Sequence, residues 1–320
     1  MFGKSWRLGR IAGVEIRIDR SWILVAALVT YFLYLELSVG APELGTALAG
    51  ALAVGAAAVF FGSVLTHEMA HALVARARGI RVHGITLFLF GGATHARVES
   101  RGPWDEFVVS VVGPVTSLGL AGALWWLGTV TEDVLLAPAP ELLRYLGFVN
   151  VILAVFNLLP GFPLDGGRVL RSAVWRVTGS IHTATRVATL GGMAVGYLLV
   201  AAGLVLMIRE NAVGSLWFVF IGWFLAQAAR RSRLDLEARR RLEEAEAKDL
   251  MSADADSLAV AEGNGTMVVE AGTPMAEVAA RLRGQTGTAN LLVVRDGSVI
   301  GVLWPEDVAR WARTVAELNE

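Results

Sequence analysis

The chain has 320 residues, 55% of them apolar and only 18% charged, with a mean hydropathy of +0.56. Soluble domains carry about 25% charged residues, so the composition excludes an ordinary soluble protein. The net charge of −1 offers no basic surface for nucleic acid, and the absence of cysteine excludes disulfides, thiolate metal sites and a cysteine nucleophile.

From the N-terminus, Trp6–Arg20 alternates apolar and polar residues around Gly9 and Gly13, which predicts a short hairpin or strand at a membrane interface. Six stretches then approach the roughly 20 apolar residues that a bilayer crossing needs. They lie near Ser21–Val39, Leu44–Ala70, Trp104–Leu127, Leu142–Leu159, Val187–Ile208 and Val213–Ala229. The first has neither a signal-peptide flank nor a small-residue cleavage site, so it reads as a retained helix. Between the second and third spans, Ile80–Val98 is β-rich and ends its apolar run at Gly91-Gly92. It is too short for a helical span and too apolar for an ordinary loop. Non-helical backbone at membrane depth must be buried or line a wet cavity, which predicts a re-entrant β segment beside an active site.

Two separate stretches read as halves of one metal site. The second span ends in His67-Glu68-Met69-Ala70-His71. Residues four apart share a helix face, so His67 and His71 can present ring nitrogens to one ion. Glu68 lies about 100° further round, close to the ion but free to act as a base. The fourth span ends in Asn157-Leu158-Leu159-Pro160-Gly161-Phe162-Pro163-Leu164-Asp165-Gly166. Its prolines and glycines must break the helix, which frees Asp165 to turn inward as the third ligand of a zincin-like zinc site. Ionisable groups against membrane spans are costly and mark function. His95, just past Gly91-Gly92, reads as an ordinary hairpin polar group, and His83 and His182 have no assigned role.

Arginine and lysine alternate between loops. They cluster before the first span, between the second and third, and after the fourth and sixth, while the intervening loops carry almost none. The positive-inside rule places both termini, and both halves of the metal site, on the cytoplasmic side of a cell membrane. After Ala229 the composition changes. Residues 230–248 form a charged helical linker, and 249–320 alternate strands and helices as a small soluble α/β module. The expected architecture is thus a polytopic α-helical membrane protein with three parts. A six-helix membrane domain (residues 1–229) with its re-entrant β segment is followed by the linker and the small module.

These residues resemble the site-2 protease family of intramembrane zinc metalloproteases. The resemblance rests on H-E-x-x-H in the second span, the Gly-Gly segment, Gly113-Pro114 in the third span, and N-x-x-P-x-x-P-L-D-G closing the fourth. It covers about Trp6 to Gln227. It implies that His67, His71 and Asp165 bind zinc, that Glu68 activates water, and that Asn157 helps hold the substrate backbone or oxyanion. It also implies a substrate class: a single-pass transmembrane protein such as a membrane-anchored anti-sigma factor, cut within or near its membrane helix in regulated intramembrane proteolysis. The small module resembles a cystathionine-β-synthase (CBS) motif through Asp249-Leu250-Met251, Leu291–Val294 and Gly301–Asp307. That implies an adenine-nucleotide contact at Asp307 and pairing of modules, here in a homodimer. The chain departs from the pattern in showing one clear motif rather than two, and in having Trp304 where a Ser or Thr is usual.

A zinc-binding scaffold without catalysis, regulated by its CBS-like module, is the alternative; it would not need Glu68. A metal transporter would need polar residues near the middle of several spans, and the first, fifth and sixth offer almost none.

Overall fold

The computed structural model describes residues 5–80, 82–88, 91–96, 102–135, 137–210, 213–253, 267–283 and 290–319. The chain divides into two compact units, Met1–Ser232 and Arg233–Glu320.

The first unit opens with β1 (Trp6–Ile11) and β2 (Val14–Ile18), an antiparallel hairpin. Its two-residue turn has positive φ at both Ala12 and Gly13, the geometry that matches the twist of the flanking strands. Helix α1 (Arg20–Gly40) follows, with the Asp19 side chain accepting from the Ser21 N–H as its cap. Next come α2 (Gly45–Ala77), β3 (Val82–Phe88) and β4 (Gly91–Ala96). The strands form one sheet in the order β1-β2-β3-β4, with β2 and β3 parallel and β3 and β4 antiparallel. The β-rich segment predicted as re-entrant is therefore half of a sheet that it shares with the N-terminal hairpin. Val14, Ile16, Ile18, Ile85 and Leu87 point from this sheet onto Met69 and Ala72 of α2. The sheet thus covers one side of the His-bearing turn of α2.

Helix α3 (Pro103–Val130) packs on α2, α4 (Ala139–Asn157) and α5 (Asp165–Thr178); α5 in turn packs on α6 (Ile181–Glu210). Helix α5 was not expected from the sequence. It is an amphipathic surface-type helix that starts at Asp165 and ends on Gly179 in the left-handed conformation, φ 70°. The loop before it folds tightly onto α6: a Cβ on Gly161 or Gly192 would collide with the backbone of the other segment.

Among the described residues, five helices are long and apolar enough to cross a membrane: α1, Pro42–Ala77 containing α2, α3, α4 and α6. Apolar side chains such as Leu24, Phe32, Trp126, Val155 and Leu198 lie exposed on them, as expected of helices solvated by lipid. The sixth predicted stretch begins α7 (Leu216–Glu243), where the apolar run stops at Arg230-Arg231 while the helix continues.

The second unit takes in the end of α7, the short α8 (Ala247–Leu250), β5 (Met267–Glu270), α9 (Met275–Arg283), β6 (Leu291–Arg295), β7 (Ser298–Leu303) and α10 (Pro305–Asn319). Strand β5 runs parallel to β6, and β6 forms a hairpin with β7 across Asp296-Gly297, both at positive φ. The core joins Val269, Met275, Leu291, Val293, Leu303 and Trp311. The Trp311 indole also donates to the Leu242 carbonyl at 3.0 Å. The charged stretch read as a linker thus contributes its end, Leu242 to Ala247, to this unit's packing.

Candidate metal centre

Helix α2 presents Ser63, His67 and His71 on one buried face, four residues apart. The break after α4 brings Asp165, at the start of α5, to the same place. Asp165 Oδ2 stands 3.2 Å from Nε2 of His67 and 3.1 Å from Nε2 of His71, and the two Nε2 atoms are 3.2 Å apart. Both imidazoles are buried, and the Asp165 side chain is 15% exposed.

Each imidazole is oriented from α3 through its other nitrogen. His71 Nδ1 lies 2.6 Å from the Val109 carbonyl and His67 Nδ1 lies 2.9 Å from Ser117 Oγ. A carbonyl can only accept, so His71 donates from Nδ1, and in the neutral ring its Nε2 is then the nitrogen left to bind a metal. The Ser117 hydroxyl can serve His67 in the same way. The α3 surface between these partners is flat. A Cβ on Gly113 would collide with His71 Nε2 and lie 2.7 Å from His67 Nε2, so the rings need glycine there to sit against α3.

Two imidazole nitrogens and a carboxylate oxygen this close require positive charge among them. Shared protons can supply it: burial raises the Asp165 carboxyl, but its hydrogen bonds with His67 and His71 overcome that and hold it below the usual carboxylate range. A divalent cation supplies the same charge. Tetrahedral zinc bonds of about 2.0–2.2 Å put neighbouring ligand atoms about 3.3 Å apart, close to the separations found here. Among the described residues, His67, His71 and Asp165 form the group of His, Cys, Asp and Glu side chains able to hold a metal ion. The donor set of two imidazoles, each with a hydrogen-bonded far nitrogen, and one carboxylate fits zinc.

Glu68 follows His67 directly, is partly buried, and its charge reaches His71 and Arg168. Asn157 is the last residue of α4; its amide donates to the Leu153 carbonyl at 3.0 Å, a bond within its own helix. His95 pairs with Gly84 across β3 and β4. Asp307 sits in the first turn of α10, where its carboxylate lies 3.5 Å from Arg310.

Sequence reasoning missed the charged contact between α3 and α5. Glu106 is fully buried, and Arg171 meets its Oε1 with a 2.5 Å hydrogen bond from Nε. Arg168 lies in the field of the same glutamate; burial pushes its guanidinium down from the usual arginine range, and Glu106 opposes that shift. The available signal was the spacing of Glu106, Val109, Ser110, Gly113 and Ser117, which puts small and polar residues along one face of an apolar helix.

The sequence profile described as peptidase family M50 matches residues 55–202. The protein sll0528 of Synechocystis, provisionally named a zinc metalloprotease, is 35% identical over 304 residues, covering 94% of this chain and 76% of its own length. Rip3 of Mycobacterium tuberculosis, with the same provisional name, is 35% identical over 250 residues, covering 77% of this chain and 63% of its own. Among solved structures, a site-2 protease from Methanocaldococcus jannaschii superposes with a TM-score of 0.50 at 25% identity, covering 72% of this chain and 95% of that one.

Proposed function

The chain belongs to peptidase family M50 and is a zinc metalloprotease of the site-2 protease type, and from that premise we propose that it hydrolyses a peptide bond within or near a transmembrane helix of a membrane-anchored regulatory protein. The observation that carries this reading is the convergence of His67, His71 and Asp165 to within 3.2 Å of one another in a bundle of membrane-length helices.

His67, His71 and Asp165 would hold the zinc, which would supply a Lewis acid able to lower the pKa of a bound water to about 7. Glu68 takes the proton from the attacking water and returns it to the leaving amine. Val109 and Ser117 keep the imidazoles aimed while this happens. Asn157, at the mouth of the break after α4, holds the substrate backbone or the developing oxyanion once its amide leaves the Leu153 carbonyl.

A helical substrate hides its carbonyls, so it must unwind before it can be cut. Strand β4 ends the sheet order β1-β2-β3-β4 among the described residues, and its outer edge can take an unwound segment as an added strand. Gly91 and Gly92 permit close backbone approach there. The strand pair β3–β4 reaches membrane depth as a re-entrant element, and the apolar start of α7 makes the sixth crossing. Both termini then face the cytoplasm, a reading that the arginine distribution supports.

The second unit acts as a CBS-like regulatory module. Its strand order of a parallel pair followed by a hairpin, flanked by α9 and α10, supports that reading. It pairs with the same module of a second chain to make a homodimer. An adenine nucleotide could act there only by favouring one arrangement over another, through Asp307.

The test is a comparison of membrane proteomes from cells carrying the wild-type chain and the Glu68→Gln variant. A single-span protein should accumulate uncut in the variant, and its shortened form should be present with the wild type. Identical proteomes would remove the proposed substrate class.

A further inference from the structure

Glu106, Arg168 and Arg171 form a charged cluster, with Glu106 fully buried and both arginines partly buried, that the hydrolytic chemistry does not use. Glu106 stands in the first turn of α3 with no exposed surface, and Arg171 in the middle of α5. Arg171 donates to Glu106 Oε1 through Nε at 2.5 Å, and its Nη2 meets the same oxygen. The guanidinium also lies 5.1 Å from the centroid of the Phe162 ring, in the loop that leads to Asp165. Glu106 Oε2 has no hydrogen-bond partner among the described residues.

Burying such a pair is a poor way to gain stability, because desolvating both ions costs several kcal/mol and apolar residues of similar shape often do as well. What an ion pair adds is direction. An apolar contact between α3 and α5 tolerates sliding, whereas a hydrogen-bonded guanidinium and carboxylate fix one register.

Register matters at this contact because α3 orients two of the metal ligands and α5 carries the third. Val109 and Ser117 hold His71 and His67, and Glu106 lies on the same face of α3, about one turn before Val109. Asp165 lies six residues before Arg171, about 9 Å along α5. A slip of about 1 Å between the helices would move Asp165 by about a third of its 3.1–3.2 Å separation from the imidazoles.

We infer that the Glu106–Arg171 pair is a positioning clamp that sets α5 against α3 and thereby places Asp165 against His67 and His71. The inference rests on the metal-centre reading above. Arg171 also grips Phe162, so the clamp reaches both sides of the break that delivers Asp165. Glu106 further offsets the charge of Arg168, one turn closer to the site. Neither residue touches substrate or metal; both act through Asp165.

The test uses the full chain, purified in detergent and loaded with zinc or with cobalt as a spectroscopic substitute. Zinc release to a chelator, the cobalt absorption bands and the thermal midpoint are measured for Glu106→Gln, Arg171→Gln and the double variant. The reversed pair, Glu106→Arg with Arg171→Glu, is measured beside them. Disturbing groups that orient metal ligands typically costs about 10–100-fold in metal affinity. The neutral variants should therefore release zinc about 10–100-fold faster and shift the cobalt bands.

In the double variant the uncompensated charge is gone, so the thermal midpoint should return toward wild type while zinc stays loosely held. The reversed pair should restore zinc retention. A folded double variant with wild-type zinc release and cobalt bands would overturn the clamp. So would failure of every variant to fold, which would make the pair a requirement of the whole bundle. Wild-type protein that retains no zinc would instead refute the metal centre itself.

Discussion

Replacing Gly113 with alanine should loosen zinc without unfolding the helix that carries it. The alanine Cβ would collide with His71 Nε2 and lie 2.7 Å from His67 Nε2, where non-bonded atoms rest near 3.5 Å. Retreat is limited for both rings, because their Nδ1 atoms are bonded to Val109 and Ser117 at 2.6 and 2.9 Å. Two effects compete. Alanine favours a helix over glycine by about 1 kcal/mol, whereas overpacking a filled site costs about 1–3 kcal/mol. The first acts on α3 as a whole, and the second falls on the ligand atoms. A cost of about 1–2 kcal/mol at the site corresponds to zinc bound roughly 5–30-fold more weakly. Competition against a chelator of known affinity measures this, with circular dichroism on the metal-free proteins as the control for folding. The metal-free variant should keep the helix content of metal-free wild type. Equal zinc affinity in the two proteins would refute the packing argument.

Asp165→Ala should remain in the membrane fraction but lose its zinc and its activity; stoichiometric zinc with full proteolysis would remove Asp165 from the site. Ser117→Ala takes away the partner of His67 Nδ1 and should weaken zinc binding by about 10–100-fold, as read by the same chelator competition. Deleting Lys248–Glu320 should leave zinc in place and change dimerisation or cleavage rate. A truncated protein that matches the full chain in both, with and without ATP or AMP, would end the regulatory reading of the second unit.

The three residues of the candidate metal centre could be picked out in the sequence because their signals are local. His67 and His71 share a helix face by spacing alone, and the prolines and glycines before Asp165 mark a break in an apolar run. The strands and helices of the second unit were legible for a similar reason: short apolar runs are separated by turn residues such as Asp296-Gly297. Helix α5 was hidden because its arginines resemble a loop flanking the membrane, although its C-terminal glycine and apolar stripe were available as signals. The parallel pairing of β2 with β3, Glu15 opposite Gly84, joins segments on either side of two membrane helices, and neither segment's pattern names the other. The bond between Glu106 and Arg171 spans 65 residues and could not be inferred from either local pattern. In the sixth apolar stretch, composition gave a run of the right character, but Arg230 and Arg231 end it within a helix that continues to Glu243.

In the proposed chemistry a zinc site built by His67, His71 and Asp165 hydrolyses peptides with Glu68 as its base. This is tested most directly by measuring zinc content and turnover together in purified Glu68→Gln, on a test substrate with one transmembrane helix. The amide keeps the shape of the side chain but cannot accept a proton. Zinc should therefore stay at the wild-type level while cleavage falls about 10²–10⁴-fold, the usual range for loss of a general base. Zinc-loaded Glu68→Gln that cleaves at the wild-type rate would contradict the account.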